Sequence, residues 1–459
     1  VEEDGQILRG IIRYIGPIVD PSYLHPITGR YFGIELQIVR WIGNLPTREG
    51  ISVGIELEED YGVSDGTFKG KRYFTCPPKR ALFVKLQSCK LETVPPISTE
   101  QVHQLLIGRM KGIQGHCNSC YMDAALFLFS CSSVLDSMLF KSTTPQDAPI
   151  QRILLHDIVN PLRKGFVLGQ NIMKFREQLQ DHGYSHSFTT EEKDPEEFLN
   201  IVMHHILALD PLLKVQESYC YQIFLDQNHS LILPTVQQLL EHSFHNAGLK
   251  LAEVPSCLIL QMPRFGKKFK MFEKIIPSLE LDITDLLSEP QQCIVCGHLA
   301  VEECGDCFKE PIFNPTGFKV FCKKCSAQVH SHPQRHSHQP AALEIPKGYL
   351  GRGVPHTLTR DRLELFAVLC IETSHYVSFV KHGPNKEDWI FFDSMADRQE
   401  RDGFNIPEVQ ACPEVGMYLE MSPAELASQV PRDMKGVAKR LFCDAYMYLY
   451  QSTSMCLYR

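Results

Sequence analysis

The sequence predicts an α+β protein that carries a small all-β unit at its N-terminus and an insertion near its centre. Residues 1–95 contain short β-branched and aromatic runs that Gly and Pro separate at short intervals, which is typical of a small β-barrel or sandwich. The periodicity is helical from about 102 to 250, and strand-like runs dominate from about 256 onward. A Cys/His-rich segment, residues 290–345, interrupts those later strands, so we expect an insertion in an α+β domain.

The predicted strands have recognisable sequences. In the N-terminal unit they are GIIRYIG, YFGIELQIVRWIG, ISVGIELE and ALFVKL, and a proline-bearing stretch, ETVPPISTE, leads into a predicted linker over 96–106. In the second half of the chain they are CLILQMPRF, ELFAVLCIE, HYVSFVK, WIFFD and DAYMYLYQ. These runs predict the positions of the strands on which candidate functional residues could lie.

Composition excludes some classes of function. With 459 residues and 44% hydrophobic content, the chain can build two to four packed domains. No apolar run reaches the roughly 18 residues that span a bilayer, and the first residues show no secretory signal. The chain has no starting Met, so we expect it to be a piece of a longer protein. A net charge of −8 argues against nucleic acid as the main partner.

The cysteines point to metal binding rather than to disulfides. There are 17 of them, an odd number, and six form three C-x-x-C pairs within the central segment. That spacing is typical of metal ligands, and the remaining cysteines lie among apolar neighbours, where a free thiol behaves as a small hydrophobic group. The pattern favours a reducing, cytosolic setting.

Cys120 is the candidate nucleophile. It follows a Gly-rich lead-in and two good N-cap residues, Asn118 and Ser119, and precedes an apolar helical run. A cysteine in the first turn of a helix faces unpaired N–H groups that favour the thiolate, the form that attacks an amide. The alternative is a buried structural cysteine, which is the commoner case for a lone Cys in an apolar helix.

His375 and Asp393 complete a possible triad. His375 begins one predicted strand, HYVSFVK, and Asp393 ends another, WIFFD. The short connection HGPNKED predicts that the two strands are antiparallel neighbours, which would bring both side chains to one sheet edge. A histidine that takes the thiol proton, oriented by a carboxylate, is the arrangement of a catalytic triad.

Taken together, these segments resemble a known family. NSCYMD with its lead-in, KDPEEF, PSCLILQMPRF, SHYVSFVK, WIFFDS and DAYMYLYQ are similar to the successive boxes of the ubiquitin-specific proteases, in the family's order, across 107–459. The resemblance implies a papain-like hand with a helical thumb, a helix-rich palm and β-sheet fingers. It also implies that Cys120 is the nucleophile, His375 the general base and acid, and Asp393 the orienting acid of an enzyme that cleaves bonds to the C-terminal glycine of ubiquitin.

The oxyanion site departs from that family pattern. The family usually has an Asn five residues before the nucleophile, and this chain has Gly115 there. Because glycine offers no side-chain donor, the Cys120 N–H and another group must stabilise the oxyanion. Asn118 and His116 are the two candidates for that other group.

The acidic positions also differ from the family. Ser394 follows Asp393 where a second acid is common, which leaves Asp393 the better orienting acid and Asp397 an alternative. The resemblance implies that Asp194 and Glu197 bind the arginine-rich tail of ubiquitin. Their spacing around Pro195 also predicts a helix N-cap with a capping box, and the two interpretations are compatible.

The central segment 290–345 is predicted to hold two structural Zn²⁺ ions. Three C-x-x-C pairs and four histidines offer more ligands than two tetrahedral ions need, and the arrangement resembles a cross-braced B-box. That resemblance assigns Cys293, Cys296, Cys322 and Cys325 to one ion, and Cys304 and Cys307 with two histidines to the other. We choose His330 and His338 for those two and expect His332 and His336 to be exposed. Filled ligand sets indicate a structural role, so catalysis should need no cofactor.

Residues 54–84 resemble a CAP-Gly domain, a small all-β barrel that usually binds acidic C-terminal tails of tubulin-related partners. Asp65, Gly66 and Arg72 match the pattern, but Val63 and Ser64 replace the Lys and Asn of the binding signature. The loss of that cation favours a groove for an extended or proline-rich peptide over tubulin. A spacer without a binding role is the alternative.

The order of these modules resembles one family member in particular. That resemblance implies hydrolysis of lysine-63-linked and linear polyubiquitin, negative control of NF-κB signalling, and binding of adaptors such as NF-κB essential modulator through residues 1–95. It further implies a cytoplasmic location, with the cytoskeleton or the membrane periphery as additional sites. Two rival hypotheses are a catalytically weak ubiquitin-binding scaffold and a CAP-Gly microtubule adaptor.

Overall fold

A computed structural model of the chain describes most of its residues. The described residues are 2–3, 6–7, 37–57, 60, 62–85, 94–139, 144, 146–184, 187–211, 219–226, 229–265, 269–288, 290–310, 312–345, 360–398 and 403–452. The predicted strand GIIRYIG lies outside them, whereas every candidate site residue lies within them. The mixed α+β class is confirmed.

The N-terminal unit is built from strands. They are β1 (Glu2–Glu3), β2 (Gln6–Ile7), β3 (Gln37–Asn44), β4 (Ile51–Leu57), β5 (Thr67–Phe68), β6 (Lys71–Arg72) and β7 (Ala81–Lys85). Strands β3, β4 and β7 form an antiparallel sheet in that order, and β5 pairs with β6. The predicted barrel is not closed by these strands within the described part of the unit, because β3 pairs only with β4, and β7 adds to its pairing with β4 only a single bridge between Ala81 and Ser64.

Alternation along β4 and β7 explains this sheet. Val53, Ile55 and Leu57 of β4 share one face with Leu82 and Val84 of β7 and form a small apolar core. The opposite face carries aromatic rings that contact one another edge-on or tilted; they are Trp41, Phe68, Tyr73, Phe74 and Phe83. Both faces of the sheet are therefore covered.

The helical half follows as predicted. Its helices are α1 (Val102–Leu105), α2 (Cys120–Leu126), α3 (Ser133–Met138), α4 (Ala148–Ile153), α5 (Asn160–Leu162), α6 (Gly169–Asp181), α7 (Pro195–Asn200) and α8 (Val236–Ala247). Short strands lie among them: β8 (Gly108–Arg109), β9 (Gly112–Ile113), β10 (Phe166–Val167) and β11 (Cys220–Gln222). Helix α7 continues as a π-helical turn over Ile201–Ile206, and α4 does so over Leu154–Val159. Every residue of α2 is buried.

Strands dominate the second half, also as predicted. They are β12 (Cys257–Gln261), β13 (Arg264–Phe265), β14 (Phe269–Lys270) and β15 (Glu280–Asp282) before the central segment. The segment itself contains β16 (Glu302–Glu303), α9 (Gly305–Lys309), β17 (Val320–Phe321), α10 (Lys323–His330) and β18 (Ala341–Ala342). After it come β19 (Arg362–Glu372), β20 (His375–Lys381), β21 (Trp389–Arg398), β22 (Asn405–Ala411), α11 (Pro413–Leu419), α12 (Pro423–Ser428), α13 (Ala438–Cys443) and β23 (Ala445–Ser452).

One large sheet positions the candidate site. Its strands run β11-β12-β23-β19-β20-β21-β22-β8, with β15 beside β19. Helix α2 packs against β20 and β21, and the apolar residues between them belong to the largest core of the chain. The sheet therefore carries two of the three predicted catalytic residues, and the helix packed on it carries the third. None of the described helices is long and apolar enough to cross a membrane.

Candidate active site and metal clusters

Cys120 is the first residue of α2, as the sequence predicts. Its side chain is buried, at 4% exposure, and its Sγ lies 3.8 Å from the Ser374 carbonyl oxygen. Ser119 occupies the N-cap position but caps no N–H of the helix with its side chain. Among the described hydrogen bonds, none uses the Cys120 N–H as donor. The helix start thus presents this N–H group beside the thiol.

A tight hairpin delivers His375 to the thiol. Glu372 of β19 pairs with His375 of β20, and the two residues between them, Thr373 and Ser374, both have positive φ. Positive φ at both central residues is the geometry of a type I′ turn, which matches the twist of two antiparallel strands. Because the turn is so short, His375 and the carbonyl of Ser374 both lie at the end of the sheet where α2 begins.

His375 and Asp393 form the predicted pair. His375 Nε2 lies 2.7 Å from Asp393 Oδ1, and β20 and β21 are antiparallel neighbours as the connection HGPNKED predicts. The Met395 N–H donates to the same carboxylate oxygen at 2.8 Å, which fixes its orientation. The imidazole uses Nε2 for this contact, which leaves Nδ1 for the thiol.

The electrostatics of the pair are those of an ion pair beside a thiol. Burial by itself would lower the pKa of His375, but hydrogen bonds to Asp393 and to Cys120 raise it to about 9. Burial likewise opposes ionisation of Asp393, but the hydrogen bond and charge of His375, together with the Met395 N–H and the charge of Arg440, outweigh burial and lower the pKa of Asp393. A protonated His375 stabilises a neighbouring thiolate, the form of Cys120 that nucleophilic attack requires.

The alternative acid is placed elsewhere. Asp397 lies beyond an irregularity in the β21–β22 pairing, and its carboxylate is exposed and 3.1 Å from Arg109 Nη2. The side chain that contacts His375 is therefore Asp393, the better candidate at the sequence level.

The two oxyanion candidates make other contacts. His116 Nδ1 lies 3.0 Å from the Gly403 carbonyl oxygen, and its Nε2 lies 3.1 Å from Cys117 Sγ. The Asn118 side-chain amide donates to the Thr190 carbonyl at 3.2 Å. Both side chains belong to the turn that precedes Cys120, and none of these three contacts involves Cys120.

Gly115 has no room for the amide side chain usual in the family. A Cβ on Gly115 would lie 2.7 Å from the Ser394 carbonyl oxygen and 2.9 Å from the Met395 side chain. The Gly115 N–H also donates to that Ser394 carbonyl, at 3.1 Å. The glycine therefore lets the nucleophile segment approach the end of β21 closely.

Asp194 lies near the catalytic strands. It caps α7 by accepting from the Glu196 N–H at 2.8 Å, and its other oxygen accepts from the Tyr446 hydroxyl at 2.5 Å. The predicted capping box is not made, because the Glu197 carboxylate lies 3.6 Å from Lys193 Nζ and α7 has no reciprocal contact at its N-cap. Glu197 is instead half-exposed, so it can contact a partner.

Sequence reasoning missed a buried polar cluster behind Cys120. Its members are all at most 1% exposed; they are Ser119, Asp123, Arg176 and Ser394. The signal for one of them was present, because Asp123 is the only charged residue in the apolar run from Tyr121 to Phe129. A charge at such a position is rarely buried without a partner.

The first metal cluster is the predicted four-cysteine set. The sulfur atoms of Cys293, Cys296, Cys322 and Cys325 all lie within 4.8 Å of one another, and those of Cys296 and Cys322 are 3.6 Å apart. Tetrahedral Zn²⁺ with Zn–S bonds of about 2.3 Å places its sulfurs about 3.8 Å apart. The four thiols therefore fit a Zn²⁺ ion.

The second cluster consists of Cys304, Cys307, His330 and His338. Cys307 Sγ lies 3.5 Å from His330 Nε2 and 3.3 Å from His338 Nδ1. The opposite ring nitrogens are held by hydrogen bonds: His330 Nδ1 lies 2.7 Å from the Ser326 carbonyl, and His338 Nε2 lies 3.2 Å from Glu310. Such outer contacts fix the tautomer that a ligating imidazole needs.

The remaining two histidines of the segment lie outside both clusters. His332 accepts from the Gln334 N–H, and His336 Nε2 lies 2.5 Å from the Ser331 carbonyl oxygen. Both histidines are exposed, in agreement with the expectation from the sequence. The clusters alternate along the chain, which is the predicted cross-brace.

The N-terminal unit has the Asp65-Gly66 loop of a CAP-Gly signature but lacks the lysine of that signature. Asp65 accepts from Thr67 and pairs with Arg72, which lowers the pKa of Asp65 to about 2. A Cβ on Gly66 would lie 2.1 Å from the Phe74 carbonyl oxygen, so this close approach requires glycine. Val63, in place of the signature Lys, is 77% exposed and offers an apolar contact instead of a charge.

A buried thiol, an imidazole and a carboxylate in this order of contact define the site of a cysteine hydrolase. Comparisons with known proteins agree: residues 111–450 match the family described as ubiquitin carboxyl-terminal hydrolase, and residues 37–89 match the CAP-Gly domain. The chain belongs to the ubiquitin carboxyl-terminal hydrolase family.

Relatives share both regions. The chain is 48% identical over 470 aligned residues to the protein named ubiquitin carboxyl-terminal hydrolase CYLD of Bos taurus, and equally to that of Homo sapiens, with 92% of this chain and 49% of each relative covered. It thus spans about half the length of these relatives. The microtubule-associated protein ssm4 of Schizosaccharomyces pombe is 40% identical over 63 residues, 14% of this chain and 9% of that protein.

Proposed function

We propose that the chain is a thiol isopeptidase that hydrolyses bonds to the C-terminal glycine of ubiquitin. The observation that carries the proposal is the 2.7 Å contact of His375 with Asp393 directly beside Ser374, whose carbonyl oxygen contacts the Cys120 thiol at the start of a buried helix. Membership of the ubiquitin carboxyl-terminal hydrolase family supports the same substrate. Cys120 is the nucleophile, His375 the general base and acid, and Asp393 the orienting acid.

The proposed reaction has two halves. The Cys120 thiolate attacks the glycine carbonyl carbon, and charge develops on the carbonyl oxygen beside the Cys120 N–H. His375 then gives its proton to the leaving lysine amine, the C–N bond breaks and a thioester forms. Water next loses a proton to His375 and attacks the thioester, which releases the ubiquitin carboxylate and restores the thiol.

The acidic residues near α7 are proposed to hold the substrate tail. Burial is the main cause that raises the pKa of Tyr376, the neighbour of His375, and the negative charge of Asp194 raises it further. Asp194 therefore lies within electrostatic reach of Tyr376. A carboxylate there can pair with an arginine that approaches the catalytic strands. Glu197 is half-exposed at the same helix start and can add a second contact. We expect Asp194→Asn to raise KM for a ubiquitin substrate more than it lowers kcat.

The metal clusters are proposed to hold two structural Zn²⁺ ions. The ligand set of Cys293, Cys296, Cys322 and Cys325 and that of Cys304, Cys307, His330 and His338 are complete tetrahedra of protein atoms, which suits a structural role. Bound metal would supply folding free energy to the segment 290–345 and is expected to take no part in catalysis.

The domain boundaries proposed from the sequence remain 1–95, 96–106 and 107–459, with the metal segment inserted in the last. Resemblance to the CYLD proteins suggests lysine-63-linked and linear polyubiquitin as substrates, a negative role in NF-κB signalling and a cytoplasmic site of action. Residues 37–89 are proposed to bind an adaptor. An exposed Val63 favours an apolar peptide over an acidic tail, which argues against microtubules as the main partner.

A catalytically weak ubiquitin-binding scaffold is the rival function. Gly115, which removes a side-chain donor to the oxyanion, is the observation that favours it. Hydrolysis of a ubiquitin C-terminal amide reporter decides between the two. Turnover that Cys120→Ala abolishes supports the isopeptidase. Tight binding of ubiquitin without turnover supports the scaffold.

A further inference from the structure

The turn before Cys120 has a strained backbone. Cys117 and Asn118 are its central residues, and both have positive φ, 48° and 58°. The Ser119 N–H donates to the His116 carbonyl across the turn at 3.2 Å. Non-glycine residues rarely adopt this conformation, and it persists only where surrounding contacts hold it. The contacts that hold this turn therefore determine where the Cys120 N–H points.

Buried polar groups hold both peptide groups of His116. Arg176 Nη1 donates to the His116 carbonyl at 3.1 Å. The His116 N–H donates to Ser119 Oγ at 3.0 Å, and that hydroxyl donates to Asp123 Oδ2 at 2.7 Å. Arg176 also donates to the Phe188 carbonyl, so the guanidinium links the turn to the segment after α6. The chain of contacts from His116 to Asp123 ends inside α2, one turn after the nucleophile.

The same cluster reaches the other side of the active site. Ser394 follows Asp393 directly and is buried beside the cluster, where neither its hydroxyl nor Asp123 Oδ1 makes a hydrogen bond among the described residues. Burial is the largest influence and raises the pKa of Asp123 to about 7, although Arg176 and His375 oppose this rise. A carboxyl with such a pKa can carry a proton near neutral pH, so an amide can imitate it.

No side chain at position 115 can assist the oxyanion, because the space for a Cβ is taken by Ser394. The side-chain groups of Asn118 and His116 are engaged with Thr190, Gly403 and Cys117. Stabilisation of the oxyanion must then rest mainly on backbone N–H groups at the start of α2, whose direction the turn sets.

We propose that Asp123 is a positioning residue for the oxyanion site: through Ser119 it fixes the turn 116–119 and thereby aims the Cys120 N–H at the developing oxyanion. This role rests on the proposed isopeptidase function. Asp123 does not touch the substrate, and Arg176 supports the turn from its opposite side.

Two ubiquitin derivatives separate this role from general support of the fold. Hydrolysis of a C-terminal amide reporter develops negative charge on a carbonyl oxygen. Addition of Cys120 to a C-terminal alkyne on ubiquitin forms a C–S bond, places a proton on the neighbouring carbon and releases no leaving group, so no oxyanion arises. A defect in oxyanion stabilisation should slow the first reaction and spare the second.

For Asp123→Ala and Ser119→Ala we expect kcat for the amide reporter to fall by about 100-fold. We expect KM and the alkyne labelling rate to stay within about threefold of wild type. Asp123→Asn should recover most of the lost kcat, because its amide oxygen can accept from the Ser119 hydroxyl as the carboxylate does. The double variant should lose no more than either single variant, since both residues act in one chain of contacts.

Ser243→Ala is the matched control, because Ser243 is equally buried and its hydroxyl also accepts a backbone N–H, that of Phe224, at a distance from the site. It should leave both rates as in wild type. Amide hydrolysis and alkyne labelling that fall together, or Asp123→Ala with wild-type kcat, would overturn the proposal. If Asp123→Ala does not fold, Ser119→Ala decides by the same ratio of rates. Failure of the wild-type protein to react with the alkyne would instead refute the isopeptidase function.

Discussion

The candidate catalytic centre and the metal segment are stabilised by different means. Cys120, His375 and Asp393 come from α2, β20 and β21, which are held by the large apolar core between helix and sheet. The core that the metal segment forms by itself has five buried residues, of which all but Phe321 belong to the cysteine clusters. Other buried residues of the segment pack instead into the second large core of the chain; they are Ala300, Phe318 and Val320. The metal ligands are therefore most of the segment's own core.

This difference predicts how each region responds to change. A catalytic side chain contributes little of the packing around it, so its loss should remove activity and leave the fold intact. A ligand of the metal segment contributes both metal binding and burial, so its loss should remove the structure itself.

Removal of metal should have the largest effect. Structural Zn²⁺ contributes about 10–16 kcal/mol to the folding of small zinc-binding peptides. We expect a strong chelator to release two Zn²⁺ ions, counted by native mass spectrometry, and to expose residues 290–345 to proteolysis. Cys307→Ala should lose one ion, whereas Cys257→Ala, at a buried cysteine outside both clusters, should keep two. Only one ion in the untreated protein would contradict the cross-brace.

Loss of the catalytic histidine should have the next largest effect. We expect His375→Ala to slow ubiquitin chain cleavage by about 10²–10⁴-fold, the usual contribution of a general acid and base. The affinity for ubiquitin and the melting temperature should change little, because His375 lies at a strand end. Calorimetry of ubiquitin binding checks the affinity. Weaker ubiquitin binding with unchanged turnover would show that His375 serves recognition instead of catalysis.

The pH profile tests the ion pair directly. The productive state keeps the proton on His375 beside the thiolate, so kcat/KM should fall as the pH rises through the pKa of His375, about 9. Asp393→Asn removes the largest influence that raises the pKa of His375, so burial should lower this pKa in the variant relative to wild type. The alkaline limb should therefore move to lower pH in the variant. An unchanged limb would mean that Asp393 does not control the imidazole.

The smallest effect is expected at the two histidines outside the clusters. His332→Ala with His336→Ala should leave both Zn²⁺ ions bound and the segment protected from proteolysis, because both side chains are exposed and contact neither cluster. Loss of an ion from this double variant would show that the second ligand set differs from His330 and His338.

Much of the fold could be predicted because local patterns agree with it. The hairpin that carries His375 and Asp393 follows from two strand-like runs and a short Gly/Pro/Asn connection, and the start of α2 follows from the N-cap residues before Cys120. The C-x-x-C spacing likewise predicted metal ligands in the central segment. In each case the determining signal lies within a few residues.

Other features could not be predicted, because the side chains or the backbone have partners that the sequence pattern does not specify. The sequence pattern predicts that Ser119 caps the helix, but its hydroxyl accepts from the His116 N–H and donates to the Asp123 carboxylate. Glu197 completes a capping-box pattern, yet it pairs with Lys193 instead of the helix start. The lack of space at Gly115 arises from Ser394, far away in the chain. The contacts of Ser119 and Glu197 are local alternatives to helix capping, whereas the contact at Gly115 arises only when the sheet and the segment before α2 meet.

Covalent capture of ubiquitin tests the central proposal most directly. The protein is mixed with ubiquitin that bears a C-terminal electrophile, and the product is mapped by peptide mass spectrometry. We predict one adduct per chain, on Cys120, that Cys120→Ala abolishes while Cys117→Ala, three residues earlier, retains it. The absence of an adduct, or an adduct that survives Cys120→Ala, would contradict the assignment of Cys120 as the nucleophile.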